Sequence, residues 1–240
     1  MTGLIRSEWH LAYVSQVIPC NWSQGTAVHI YNNYSPLNFL VAEGRNLIVQ
    51  KAVEENFEWL LFVDHDVILP RDTFLRFNQY MRDKEVPIVG GLYFAKGLPA
   101  EPLIYRGRGN SYFKDWKLGN KVWCDGMGLG CHLIHSSVLR VMWNESQEYK
   151  VEPGVKTRMV FHTPTETDYD PEIGLLTYRG TEDLPWYERI MKEDILKKAG
   201  WPKKVWSRRY PFLCDTSIFC KHIDFNGVQY PTQNEQAEFK

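Results

Sequence analysis

The sequence predicts an α/β fold on a largely parallel central sheet, and three observations predict it. In the first half of the chain, short apolar runs alternate with segments of helical period, the pattern of β-α units. One run, WLLFV (residues 59–63), is apolar at five successive positions, as a strand covered on both faces should be. The chain is long enough for one well-buried domain, with 240 residues, 44% hydrophobic and 24% charged.

Taken in order, LAYVSQVI (11–18) reads as a first strand stopped by Pro19, and NFLVA (38–42) as a second. Gly44 opens a helix in which Ile48 and Ala52, and Val49 and Val53, recur four apart on one face. WLLFV follows as a central strand. After Pro70 comes a helical stretch with Phe74, Leu75, Phe77 and Met81, then a buried strand in PIVGGLYF (87–94). Residues 98–124 are rich in Gly and aromatics and predict hairpins or irregular connections. Gly126, Gly128 and Gly130 lead into 131–143, part of which should be helical, and FLCDTSIFC (212–220) reads as a strand pair. With no internal repeat and no Pro/Gly/Ser linker, one domain over residues 1–240 is expected, with a nucleotide-binding half (1–95) and an acceptor-binding half (96–240).

The formal net charge is -1, which gives no global basic field for collecting nucleic acid. The start MTGLIRSEWHLAY lacks an apolar run behind a basic segment, and no run of about 18–20 apolar residues occurs. Both features predict a cytoplasmic protein without a transmembrane segment. The five cysteines (Cys20, Cys124, Cys131, Cys214, Cys220) fit reduced, buried thiols. Cys124 with Cys131, His132 and His135, and Cys214 with Cys220 and His222, lack the paired CxxC spacing of zinc sites.

WLLFVDHDVILP puts two carboxylates directly after the buried strand. In extended geometry Asp64 and Asp66 point the same way and His65 opposite, so two hard oxygen donors converge where a cation can sit. In open α/β sheets, ligands collect at the carboxyl ends of strands. Asp168-Tyr169-Asp170 repeats the pattern after a polar run, without that context. Thr181-Glu182-Asp183-Leu184-Pro185 begins a helix with Leu184, Tyr187, Ile190 and Met191 on one face. Thr181 suits its N-cap, and acids suit its first turn. Capping alone accounts for these residues; a carboxylate there can also serve as a general base. Glu193 and Asp194 read as a solvated face. Lys221-His222-Ile223-Asp224 closes the set; a histidine there is by itself more often core or surface than ligand.

Together VDHD, TEDL and KHID, in that order, resemble the GT-A fold glycosyltransferases, in particular the family 2 type. GRNLIVQKAVEENFEWLLFVDHDV and PIVGGLYF extend the resemblance over residues 11–222. It implies a GT-A fold with a small antiparallel part toward the C-terminal half, and inverting sugar transfer from a nucleotide-sugar donor to an acceptor hydroxyl. It implies Asp66 as main metal ligand, Asp64 as ribose or metal contact, His222 as further ligand, Asp183 as base and Glu182 as acceptor contact. Arg45 matches an arginine near the donor. A nitrogen ligand beside carboxylates favours Mn²⁺ over Mg²⁺.

Two departures bear on this. Ala42-Glu43-Gly44 replaces the acidic element that many relatives use for the nucleobase. The stretch after the TED helix carries Lys197, Lys198, Lys203, Lys204, Arg208 and Arg209 among Trp201 and Trp206, suited to a diphosphate, an anionic acceptor, peripheral membrane contact or a plain exposed loop. Trp116, Trp123 and Trp186 are candidate sugar platforms. The competing readings are a nucleotidyltransferase, for which Pro19-Cys20-Asn21-Trp22 is not the glycine- and lysine-rich loop required, and a catalytically inactive carbohydrate-binding protein.

Overall fold

Along the chain the elements are α1 (Ser7–Val14), α2 (Val41–Glu54), β1 (Trp59–Val63), β2 (Val67–Ile68), α3 (Thr73–Asp83), β3 (Ile88–Leu92), β4 (Ile104–Tyr105), β5 (Lys121–Cys124), β6 (Gly126–Met127) and β7 (Cys131–His135). There follow α4 (Ser136–Glu145), β8 (Glu148–Val151), β9 (Val155–Arg158), β10 (Thr165–Asp170), β11 (Gly174–Arg179), α5 (Asp183–Lys192), α6 (Ile195–Lys198), α7 (Lys203–Trp206), β12 (Phe212–Phe219), β13 (Lys221–Ile223), β14 (Gln229–Tyr230) and α8 (Gln233–Gln236). These come from a computed structural model that describes residues 5–18, 34–107, 112–151, 154–171 and 174–236. Cys20 and the loop at 19–22 lie outside the described residues.

The main sheet runs β1-β7-β3-β12-β5, mixing strands from residues 1–95 with strands from beyond 96. Among the described residues only β3 and β12 pair in parallel; the pairs β1–β7, β3–β7 and β12–β5 are antiparallel. The expected mostly parallel sheet is therefore corrected to a mixed, mainly antiparallel one. The cause is β7, which lies between β1 and β3 and reverses both pairings, so the sequential β1-α3-β3 unit is not a pair of neighbours.

β1 is also an edge strand, not a central one. Its apolar run still has the expected reason: Leu60 and Phe62 face one cluster with α2, α4 and α5, while Trp59, Leu61 and Val63 face a second cluster with α3. Double coverage, not centrality, makes the run continuous.

Neither of the first two expected strands forms: residues 11–14 end α1, and of 38–42 only Val41 and Ala42 are helical, opening α2. Trp9 and Tyr13, four apart in α1, stack at 5.1 Å, Tyr13 meets Phe74 edge-on, and Gln16, two residues past the end of the helix, donates to the Pro70 carbonyl. Residues 38–42 lead into α2, where Glu43 accepts the Leu40 N–H at 3.1 Å as an N-terminal cap. The α2 face is as expected, with Val49 and Ala52 buried. FLCDTSIFC is one long strand, β12, and not a pair.

Candidate functional site

The site lies where β1 and β3 end and β7 begins. Asp64 N–H donates to the Gly130 carbonyl at 2.9 Å, and Val67 N–H donates to the Asp64 carbonyl at 3.1 Å, so residues 64–67 form a turn. The Trp9 indole donates to the same Asp64 carbonyl at 2.7 Å. This turn corrects the extended-strand expectation: the two carboxylates do not converge on one spot but meet different partners.

Asp64 is taken by Arg45, whose Nη2 donates to both carboxylate oxygens at 3.0 and 3.1 Å. Arg45 is only 4% exposed and comes up from α2. Its Nε donates to Glu182 at 2.9 Å and its Nη1 to the Leu129 carbonyl at 3.3 Å, with its guanidinium 5.0 Å over Phe62. Burial works against its charge, but Asp64, Asp183 and Glu182 more than compensate and raise its pKa. Arg45 and Glu182 are thus both buried, with Arg45 bridging Glu182 and Asp64.

Asp66 is brought to His222 by the small sheet β14-β13-β2. His222 pairs with Val67 in register, and Ile223 N–H donates to the Asp66 carbonyl at 2.8 Å. His222 Nε2 then stands 3.4 Å from Asp66 Oδ2. The other ring nitrogen, Nδ1, lies 2.8 Å from the Phe94 carbonyl, and since a carbonyl only accepts, Nδ1 carries a proton. A backbone acceptor of this kind fixes a metal-ligating imidazole and turns its Nε2 to the cation. Lys96, just past β3, puts Nζ 2.5 Å from the same Asp66 oxygen. Burial pulls the Asp66 carboxyl up, but the His222 and Lys96 contacts hold it far below the ordinary carboxylate value.

Asp183 opens α5, with Glu182 and not Thr181 as N-cap residue; the Glu182 side chain turns to Arg45 instead of capping. Burial pushes the Asp183 carboxyl up to about 7, with Arg45 pulling it down, Glu182 and Asp64 adding repulsion, and the Leu129 N–H opposing them. Tyr93 completes the wall: its hydroxyl accepts the Gly130 N–H at 2.9 Å. A Cβ at Gly128 or Gly130 would meet that hydroxyl at 2.2 or 2.9 Å, so both positions must be glycine for the ring to sit there.

All six residues expected from the sequence therefore fall in one neighbourhood, in two sets: Arg45, Asp64 and Glu182 in direct ion pairs with Asp183 electrostatically coupled, and Asp66 with His222. Trp9, Tyr93 and Lys96 belong to it too and were not expected. Among the described residues, no three His, Cys, Asp or Glu side chains gather as a ready metal cluster, and Asp64 is held by Arg45. Asp66 and His222 fit a divalent cation as a carboxylate–imidazole pair. Moreover, four carboxylates (Asp64, Asp66, Glu182, Asp183) face two side-chain cations (Arg45, Lys96), so the neighbourhood is short of positive charge.

The expected sugar platforms are otherwise engaged. Trp186 is buried and stacked on Phe161, Trp123 lies under Arg208, and Trp116 packs on Phe94 and Phe219. Cys124, Cys131, Cys214 and Cys220 are buried free thiols.

No protein-family model and no curated protein matches the sequence. Among solved structures, the crystal structure of A197 from STIV is similar over 79% of this chain and 72% of that one, at 18% identity and a TM-score of 0.44.

Proposed function

We propose that the protein is a metal-dependent glycosyltransferase that moves a sugar from a nucleotide-sugar donor to an acceptor hydroxyl with inversion, on a GT-A type scaffold. The observation that carries this reading is the Asp66–His222 pair at a strand-end turn whose other carboxylate, Asp64, is electrostatically coupled to the buried Asp183. Asp66 and His222 would hold Mn²⁺, or Mg²⁺, and when bound the cation supplies charge neutralisation for the departing diphosphate.

Asp183 is the general base. A carboxyl whose pKa is lifted to about 7 is ionised in part of the molecules at neutral pH, yet basic enough to take a proton from an acceptor hydroxyl. Arg45 is a positioning residue that fixes Asp64 and Glu182 and keeps Asp183 from rising further. Lys96, one-third exposed, is paired with Asp66 and would supply a cation to a diphosphate held beside that carboxylate. Trp9 pins the turn itself. A single base on the acceptor side is what inversion requires.

The test is a panel of nucleotide sugars with Mn²⁺ or with EDTA, read as thermal shift and as release of nucleoside diphosphate. The reading expects at least one donor to stabilise the protein only with metal and to be turned over. If none stabilises it in a metal-dependent way, the reading is wrong.

A further inference from the structure

The far end of α5 borders a second site. A cavity of about 230 Å³ opens between the α5–α6 and α7–β12 connections. Its floor is apolar, made by Ile190, Met191, Leu196 and Pro211, with Trp206 as one wall. Its rim carries Lys197, Arg208 and Arg209 against a single acid, Asp194.

The charge bias is local and strong. Residues 195–211 hold six of the chain's 28 basic residues and none of its 29 acidic ones. Nearby acids are already spent elsewhere: Glu193 on Arg189, Glu188 on Lys192 and Glu145 on Lys198. Asp194 makes no ion pair with the rim cations among the described residues.

These cations are held in place by rings instead of by carboxylates. The Arg208 guanidinium lies 3.8 Å over Trp123, and its Nε donates to the Lys204 carbonyl at 2.9 Å, while its two terminal nitrogens make no ion pair among the described residues. Lys197 lies 5.6 Å over Trp206 and Arg209 5.2 Å over Tyr210. Ring contacts orient a cation without neutralising it. A preorganised arginine fork beside further cations matches the oxygen geometry of a phosphate.

We propose that this cavity binds a phosphate-bearing ligand with an apolar or aromatic portion, the phosphate on Lys197, Arg208 and Arg209 and the apolar part on the floor. It lies apart from the Asp183 carboxylate. Ile190 and Met191 lie seven and eight residues along α5 from Asp183, about 10–12 Å at the helical rise. The inference does not depend on the glycosyltransferase reading.

The experiment is calorimetric titration of the whole chain in EDTA, so that no cation can recruit phosphate to Asp66 and His222. The probes are inorganic phosphate, hexyl phosphate, and phosphatidylcholine vesicles with and without phosphatidic acid. Hexyl phosphate is expected to bind one to one and about tenfold more tightly than inorganic phosphate, because its chain covers the floor. Affinity should fall with added salt. Arg208→Gln and Lys197→Gln should each weaken binding about tenfold, whereas Asp66→Asn and His222→Ala should leave it unchanged. Lys197→Gln alters an exposed side chain and guards against misfolding of the Arg208 variant, with melting temperature as the check.

Competition between hexyl phosphate and phosphatidic acid vesicles would identify a lipid headgroup as the source, and its absence a soluble phosphate ester; either supports the site. Failure of both phosphates to saturate the protein overturns the proposal. So does unchanged affinity in the Lys197 and Arg208 variants, or loss of binding in the Asp66 and His222 variants. None of these results touches the metal-dependent donor shift that tests the proposed function.

Discussion

Two Asp-x-Asp triplets in one chain meet opposite fates. Asp64-His65-Asp66 occupies a turn whose backbone is tied to Gly130, Trp9 and Ile223, and its carboxylates meet Arg45, Lys96 and His222 from three separate stretches of the chain. Asp168-Tyr169-Asp170 lies inside β10 of a two-stranded hairpin, where Tyr169 pairs with Leu175 and both are about 70% exposed. Asp168 accepts the N–H of its own neighbour Tyr169, at 2.8 Å. The same three letters make a candidate site only where the fold delivers opposite charge and excludes water around them.

That contrast can be broken or sharpened by substitution. Asp183→Asn should lower kcat by about 10²–10⁴-fold while metal-dependent donor binding, read by thermal shift, persists. Asp66→Asn should cost about 10²–10³-fold in turnover and abolish the Mn²⁺-dependent shift, the equivalent of several kcal/mol of lost charge stabilisation. Arg45→Met leaves Asp64 and Glu182 without their buried partner, and denaturant unfolding should show a loss of about 3–5 kcal/mol.

Acidity offers a fourth measurement. With its carboxyl lifted to about 7, Asp183 is protonated below that pH, so kcat/KM should fall about tenfold per unit as pH drops under 7 and level off above it. Stability moves the other way. The folded chain holds that proton more tightly than the unfolded one, so its contribution is complete below pH 3.8 and is lost as pH rises through about 7. Asp183→Asn should therefore be more stable than the native chain at pH 8, by about 1–3 kcal/mol, and no more stable at pH 4. The smallest effect belongs to the other triplet: Asp168→Asn should leave activity unchanged and stability within about 0.5 kcal/mol.

What the sequence made legible follows from what is local. WLLFV, the buried face of α3 with Phe74, Phe77 and Met81, and the start of α5 all carry their signal in adjacent residues. Residues 11–18 and 38–42 did not, because a short apolar run serves equally as a strand or as part of a helix, and only the docking of Trp9, Tyr13 and Gln16 decides the first case. The insertion of β7 between β1 and β3 is a long-range event with no local mark. Lys96 and Trp9 were likewise invisible, since each matters only for the oxygen it reaches. Tyr93 had an indirect signal: glycines at alternate positions 126, 128 and 130 betray something bulky pressed against that loop.

Tyr93 shares one small volume with Gly128 and Gly130, and its hydroxyl is bound to the same Gly130 whose carbonyl anchors Asp64. A single methyl group added on that loop would have to push the ring aside, and the displaced ring would carry the acidic turn with it. The position of the turn that carries Asp64 and Asp66 is thus set partly by two residues that have no side chain, which makes steric bulk, not charge, the quietest means of detuning the proposed centre.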